Sequence, residues 1–591
     1  MVENQEACFH KNAPLDDAKV DSYIAPCPMG FEHVMIDAIM YSLEKAGFGG
    51  GKSEVVWLFS PSEDKLEGMK VQVAKHLQLK EEKRLKKKDI EKSANQKATY
   101  AVSEDDHSVI VGPLNDGSNL FLGQYEGNVI VSRPGATEVG IILIRTSAPP
   151  SIVSNIRVIG PLLGLVSIHH DIFTEPLELD QISRIIEDLR CDSNTVSGYK
   201  SCLNLWSRHA SMWKQRYGPL LKTSNDLDNL HDKINGKVGL KYRASCVRNG
   251  KCKAKQFKTC DLFASIGSSV PHDKLEGFSL DRQTPRLKSK INPTQCWSVD
   301  LKKYDFEVVG FLVDTHFVLA ISLIPYQLMN ANGFSRTCAL PSDVTPPFVT
   351  KGNEEYLIRL RPSTSSLLVH LANPQKGDIL VDVCAGLGTI PIEAALSNRS
   401  VVGLGGEISP YLDGIMSEYA SEARRLSSSL SLHGASDICL WDATLLSYRD
   451  SCADLIISDL PFGQKCMNSK KLRQFSPLLL AEVARILRVG GRAILLSGIY
   501  RYILDYLNGE GKSVIFLRNI FPVNIGGHLA YVVEIERKNG AVYVDRHRDK
   551  VRKMTQRRTQ EWKRDDASHL HSKEKGGNET HKRQRCLAQS K

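Results

Sequence analysis

From residue 378 onward, short apolar runs alternate with helical stretches, and this alternation limits the fold more than any other feature of the chain. Ile379–Val383, Ser400–Leu404, Ile438–Leu440, Asp454–Ile457 and Ala493–Leu496 read as strands, with helices expected over Ile390–Leu396, Ser409–Leu426 and Phe475–Leu487. Apolar strands separated by helices need cover on both faces, which predicts an α/β sheet of the doubly wound kind. Ser513–Leu517 and Ala530–Ile535 end the series with only short connections near them, as an antiparallel hairpin at the sheet edge requires.

The earlier part of the chain lacks that rhythm. Phe31–Leu43 has apolar residues at helical spacing and Val55–Phe59 reads as a strand. A charged stretch over 76–96 follows, then short strands at Val109–Val111, Leu120–Leu122 and Val129–Val131. Further on, Ile182–Leu189 predicts a helix and Tyr242–Cys246 a strand. Residues 261–295, rich in Ser, Pro, Asp and Lys, predict a long loop, and Phe306–Val313 and His316–Leu323 predict a hairpin turning at Asp314–Thr315. At 591 residues, three or four folded units are expected, because one domain holds roughly 100–200 residues. The apolar runs Ile141–Ile144 and Val158–Ile168 are too short to cross a bilayer and fit buried strands or a short core helix. The opening residues carry acids where a secretory signal carries a basic flank, so neither targeting nor membrane insertion is expected.

The net charge of +10 is unevenly placed. Asp545–Lys591 holds 15 Lys or Arg against 7 Asp or Glu, and reads as a disordered basic arm. Lys233–Lys258 holds nine basic residues and no acid, with Tyr242 and Phe257 among them, a composition that suits a phosphate-facing surface. Lys251, Lys253 and Lys255 are its candidate RNA contacts. Fourteen Cys, in a chain of this length without a secretory start, predict free thiols. The spacing of Cys246, Cys252 and Cys260 matches no common zinc pattern, so no metal is expected there.

Three motifs mark a nucleoside cofactor. Val381–Pro391 (VDVCAGLGTIP) runs from a strand through a Gly-x-Gly turn into a helix. Gly386 and Gly388 allow a tight turn and close ligand approach, Asp382 ends the strand, and Thr389 is placed to cap the helix, whose free amides bind a carboxylate. Pro391 stands where a dinucleotide fingerprint would want its third Gly, which argues against a dehydrogenase. Glu407 follows the second strand, 25 residues after Asp382, where an acid accepts ribose hydroxyls. Asp442 and Ala443 follow the third strand, where they can meet an adenine edge. The ordered set points to S-adenosyl-L-methionine.

The fourth strand ends in Ser458-Asp459-Leu460-Pro461-Phe462-Gly463. An exocyclic base amine is a poor nucleophile because its lone pair is delocalised into the ring, so it needs orientation and a partner for developing positive charge. Asp459 and the Leu460 carbonyl can each accept an amine hydrogen, Pro461 stiffens the turn, and Phe462 can stack on the base. Cys384 lies on the cofactor strand, a poor position for a nucleophile that attacks a pyrimidine.

On these residues the chain resembles the THUMP-domain-containing RNA guanine-N2 methyltransferases. The matching segments are Asp382–Ala395 (DVCAGLGTIPIEAA), Arg361–Thr364 (RPST) ahead of a helix, Asp459–Gly463 (DLPFG), Asn524–Gly527 (NIGG), Tyr242–Cys246 (YRASC) and, less cleanly, Tyr23–Glu32 (YIAPCPMGFE). The resemblance implies a ferredoxin-like region over 1–165, a THUMP domain over 166–345, a Rossmann-like class I methyltransferase domain over 346–540, and a basic tail over 541–591. It implies transfer to guanine N2 in a structured RNA, either U6 small nuclear RNA or tRNA. An RNA contact at Arg361, a small zinc-binding activator subunit and a location in the nucleus, or else the cytoplasm, are implied with it. Val383 and Ala385 depart from the family pattern, and residues 44–150 follow it poorly. Two other readings remain open at this level. One is methylation of adenine N6 or of a protein amide, although relatives of that kind more often carry Asn-Pro-Pro-Tyr. The other is a non-catalytic RNA-binding scaffold.

Overall fold

In the computed structural model the described residues are 20–59, 139–173, 177–217, 239–249, 258–275, 297–323 apart from 303 and 314, 360–408 apart from 398 and 399, and 434–538 apart from 463–466, 468 and 527, together with three short strands between 101 and 121. The first sheet takes its strands from the N-terminal half: β1 (Asp21–Pro28), β2 (Ser53–Leu58), then, after the short strands β3 (Ala101–Val102), β4 (Val109–Pro113) and β5 (Asn119–Phe121), β6 (Val139–Thr146), β7 (Leu163–His169), β8 (Lys241–Asn249), β9 (Ser298–Val299), β10 (Phe306–Val313) and β11 (His316–Ser322). Its order is β2-β6-β1-β7-β11-β10-β8-β9, while β3, β4 and β5 form a separate small sheet.

The boundary expected at 165/166 falls inside β7, which pairs with β1 on one side and β11 on the other, so the two N-terminal regions share one sheet. The β1–β7 link is narrow, pairing only Tyr23 with Gly164 and Ile24 with Leu163. At that link the sheet curls. Four strand spacings separate β2 from β11, about 19 Å in a flat sheet, yet the ring of Phe59, just after β2, stacks on His316 of β11 at 4.3 Å. The curl lets Ile24 and Ile141 from one half pack with Leu163, Phe311 and Val318 from the other.

On the opposite face lie the helices Glu32–Lys45, Leu179–Asp188 and Ser193–Tyr217. Gly198 allows the last of these to touch β7, since a Cβ there would lie 1.8 Å from the Val166 carbonyl oxygen. The loop expected over 261–295 is corrected in its first part: Thr259–Leu262, Phe263–Ser268 and His272–Leu275 form helical turns. Leu262, Ile266, Val270 and Leu275 are completely buried, at a spacing of four or five residues that presents one apolar face to the core. Residues 276–296, the candidate contacts Lys251, Lys253 and Lys255, the helix expected over 409–426, the strand expected over 129–131 and the basic tail lie outside the described residues.

The C-terminal sheet is built from β12 (Ile379–Asp382), β13 (Val402–Glu407), β14 (Ala435–Leu440), β15 (Ala453–Asp459), β16 (Leu487–Ser497), β17 (Ile515–Ile525) and β18 (His528–Arg537), in the order β14-β13-β12-β15-β16-β18-β17. The five strands β12 to β16 run parallel, and the β17–β18 hairpin adds antiparallel to β16, as the alternation predicted. The order reverses between β12 and β15, which makes the C-terminal ends of those two strands the topological switch point where such sheets bind ligands.

Several strands differ from their expected limits: β14 and β16 begin before their apolar runs, at Ala435 and Leu487. β13 begins later than expected and runs to Glu407, because pairing with β14 continues through Gly405 and Gly406. β17 runs through Pro522, which an outermost strand tolerates because a missing N–H need break no ladder there.

The two halves of the molecule are docked. Gly30, with φ +94°, passes so close to β17 that a Cβ would lie 2.4 Å from the Pro522 carbonyl oxygen. The Asn524 amide donates to the Met29 carbonyl at 2.9 Å, and the Phe31 and Phe521 rings meet edge to face. His370, on the helix Pro362–Ala372, hydrogen-bonds Asp37 at 2.7 Å.

Candidate active site at the switch point

The ends of β12, β13, β14 and β15 bring the acids of all four motifs to one side of the sheet. Asp382 closes β12 and is 1% exposed. Its Oδ1 accepts from the Ser458 hydroxyl at 2.7 Å and the Cys384 amide at 3.1 Å. Burial pushes its carboxyl up to about 7, against the pull of those two hydrogen bonds, and the neighbouring Asp459 and Glu407 add to the rise.

Gly386 and Gly388 both take positive φ, +53° and +77°. Nothing lies within 4 Å of where a Gly386 Cβ would stand, so the turn opens onto free space. Gly388 is different: its Cβ would sit 1.9 Å from Ile438 Cδ1, so this glycine packs against β14. The capping expected of Thr389 is corrected. Gly388 occupies the N-cap in a left-handed conformation, no side chain caps the helix, and Thr389 is the first helical residue of Thr389–Leu396. The tight turn requires a positive φ at the cap, which Thr adopts only at a cost.

Glu407 ends β13 and reaches back to the turn. Its Oε2 accepts from the Gly386 amide at 3.1 Å and its Oε1 from the Ile408 amide at 2.9 Å. Asp442 is held by Thr444, whose amide and hydroxyl both donate to Oδ1 at 2.8 and 2.7 Å. Ala443 beside it is buried.

Two residues that stand in the motifs without an assigned role build this floor. The Trp441 indole donates to the Val383 carbonyl at 3.2 Å and lies directly on Gly406, tying β14 to β12 across β13. Ser458 links β15 to β12 through Asp382. The only sequence signals were a second glycine at the tip of β13 and a small polar residue before Asp459.

Asp459 ends β15, partly buried, and its Oδ1 is buried with no hydrogen-bond partner. Burial alone raises its carboxyl to about 7. The following turn is pinned by the Leu460 amide, which donates to the Leu496 carbonyl at 2.9 Å. Pro461 and Phe462 are partly buried, and the Phe462 ring packs against Gly498, where a Cβ would lie 3.0 Å from the ring. An apolar recess behind the turn is lined by Leu460, Pro461, Leu472, Phe475, Ile499 and Tyr502, among others.

The Cys384 thiol is pushed up by burial first and by Asp382 and Glu407 next, which keeps it protonated and unreactive. Arg361 is exposed at the N-cap of the helix Pro362–Ala372, so its guanidinium faces solvent. Among the described residues no group of His, Cys, Asp and Glu is set to hold a metal ion, and no helix is long and apolar enough to cross a membrane.

Residues 357–529 match the UPF0020 family model, described as the RMKL-like methyltransferase domain. The chain is similar to the tRNA (guanine(6)-N(2))-methyltransferase THUMP3 of Bos taurus, with 27% identity over 252 residues, 41% of this chain and 45% of that protein. It is also similar to the U6 snRNA (guanine-N(2))-methyltransferase THUMPD2 of Mus musculus, with 28% identity over 241 residues, 40% of this chain and 37% of that protein. The matched region thus spans less than half the length of either relative. Among solved structures, TrmN from Thermus thermophilus aligns at 17% identity and a TM-score of 0.41, over 67% of this chain and 89% of that one.

Proposed function

We propose that this chain, whose residues 357–529 form a methyltransferase domain of the RMKL-like family, transfers a methyl group to the N2 amine of a guanine in RNA. The single observation that carries the reading is the buried, unpartnered Oδ1 of Asp459 at the end of the strand beside the Gly-x-Gly turn. A buried acceptor without a donor costs stability, and a substrate amine would satisfy it.

The residues at the switch point fit S-adenosyl-L-methionine. Gly386 leaves open space above a backbone turn, Glu407 and Asp442 set carboxylates at two strand tips, and Asp382 lies buried beneath the turn. Asp382, Gly386, Gly388, Thr389, Glu407, Asp442 and Ala443 would hold the cofactor, which supplies an electrophilic sulfonium methyl when bound. On the substrate side, the Asp459 carboxylate accepts one hydrogen of the guanine amine and the Leu460 carbonyl accepts the other. That pairing aims the nitrogen lone pair and balances the positive charge that develops on it. Pro461 keeps the turn rigid, and Phe462, supported by Gly498, presents a ring for the base to stack on.

The substrate reading rests on the names of the relatives, one acting on U6 small nuclear RNA and another on tRNA. We favour U6 small nuclear RNA and a nuclear location, with a tRNA guanine as the second reading. A small zinc-binding activator subunit belongs to the same reading, as the family resemblance implies. The test is nucleoside analysis of U6 and tRNA transcripts incubated with the chain, S-adenosylmethionine and the activator. N2-methylguanosine is the expected product, and N6-methyladenosine as the sole product would exclude the assignment. Replacing Lys251, Lys253 and Lys255 with Gln is expected to weaken RNA binding and lower the slope of log affinity against log salt by about 2 to 3. An unchanged slope would remove these lysines from the RNA interface, and Arg361→Gln tests the exposed Arg361 by the same assay.

A further inference from the structure

We propose that Arg157 is a positioning residue for the cofactor site, through which the N-terminal half sets the helix that follows the Gly-x-Gly turn. Arg157 lies between β6 and β7, in the N-terminal half, on a segment anchored by the buried Ile156, Val158 and Ile159. Its guanidinium crosses to the C-terminal half and pairs bidentately with Glu393: Nε donates to Oε2 and Nη2 to Oε1. Glu393 is 2% exposed and sits in the helix Thr389–Leu396, one turn past the Gly388 cap. The Ser366 hydroxyl, on the helix Pro362–Ala372, completes the cluster by donating to Glu393 Oε2 at 2.6 Å.

The placement is what gives the pair a role beyond stability. A short helix fixed only by packing can rock, and rocking would move the amides of Gly386 and Gly388. A planar, two-point Arg–carboxylate contact resists rotation as well as translation. Here the fork belongs to one half of the molecule and the carboxylate to the other. Docking the N-terminal half therefore completes the cofactor site, and any force RNA exerts on that half reaches the turn through a rigid link. This inference rests on the methyltransferase reading above.

The experiment measures S-adenosylmethionine affinity by calorimetry and melting temperature without cofactor, on the full chain. The variants are Arg157→Ala, Arg157→Lys, Glu393→Gln and the double variant Arg157→Ala/Glu393→Gln. Arg157→Ala leaves a buried carboxylate unpaired and is expected to lower the melting temperature and weaken cofactor binding about tenfold, within the range usual for coupled sites. In the double variant the unpaired charge is gone, so the melting temperature recovers while binding stays weak. Arg157→Lys, with a single-point contact, falls between. Recovery of affinity together with stability in the double variant, or wild-type affinity in Arg157→Lys and Glu393→Gln, would overturn the positioning role. Should Arg157→Ala fail to fold, those last two variants still decide the matter. A wild-type chain that binds no S-adenosylmethionine would instead refute the methyltransferase reading itself.

Discussion

Asp459→Ala lowers the turnover of guanine methylation by about two to three orders of magnitude, the usual effect of removing one preorganised polar group from a reacting centre, while S-adenosylmethionine affinity stays within about twofold of wild type. The asymmetry follows from position. Asp459 ends β15, and its Oδ1 makes no bond that holds the cofactor turn, which is built by Asp382, Ser458 and Glu407. Single-turnover kinetics with calorimetry checks both halves, and near-normal turnover would remove Asp459 from the chemistry.

On the proposed assignment, the same carboxyl is expected to give the reaction its pH dependence. Burial raises Asp459 to about 7, so it is largely protonated below that pH and cannot accept an amine hydrogen. Activity should therefore fall as pH drops through 7. Asp382, raised to about 7 by burial first and by Asp459 and Glu407 as well, titrates in the same window.

The sign for stability is opposite to that of a salt-bridged acid. A raised folded-state pKa means that the folded protein keeps a proton between about 4 and 7 that the unfolded chain has released, so stability declines as pH rises through that window. Asp459→Asn removes the penalty. It should melt higher than wild type at pH 8, with the gap closing toward pH 5, while its activity is expected to be lost. A variant that melts lower at pH 8 would show that the buried carboxylate is satisfied in a way the geometry does not reveal.

Gly406→Ala is expected to have the second large effect. An alanine Cβ would stand 1.5 Å from Cε2 and 1.8 Å from Nε1 of Trp441, so the indole must leave. With it goes the hydrogen bond to Val383 and the edge-to-face contact with Tyr448 at 5.0 Å. Losing a buried Trp contact costs about 3–5 kcal/mol, and the displaced ring would drag Asp442 and Ala443 away from the β13 tip. The expected readout is a lower melting temperature with cofactor affinity weakened about tenfold or more. Trp441→Ala, which leaves a void and no clash, should lose stability while disturbing the backbone of β13 less. Normal stability and binding in Gly406→Ala would mean that the Trp441 contact is dispensable.

Much of the switch-point geometry was legible because its signals are local. A strand that ends in an acid and enters Gly-x-Gly, an acid at the next strand tip, and an Asp-Leu-Pro-Phe turn are contiguous residues whose backbone demands are written in their own types. The alternation of apolar runs with helices likewise dictated the doubly wound sheet, since the faces that must be buried follow from periodicity alone. Strand limits were less legible. β13 and β17 outran their apolar runs because pairing partners, glycines and an edge position decided how far the ladder extended.

The sequence by itself determined which residues could meet a nucleoside and an amine, because chain order and strand direction put them at the same end of one sheet. Only the tertiary structure decided what holds them there: Gly406 under Trp441, Ser458 on Asp382, Gly388 rather than Thr389 at the helix cap, and Arg157 reaching Glu393 from 236 residues away. The curl that joins both N-terminal regions into one sheet was also invisible beforehand. Contacts of that kind depend on which surfaces close against each other, and the physical reason they escape a linear reading is that no residue's own preference encodes its distant partner.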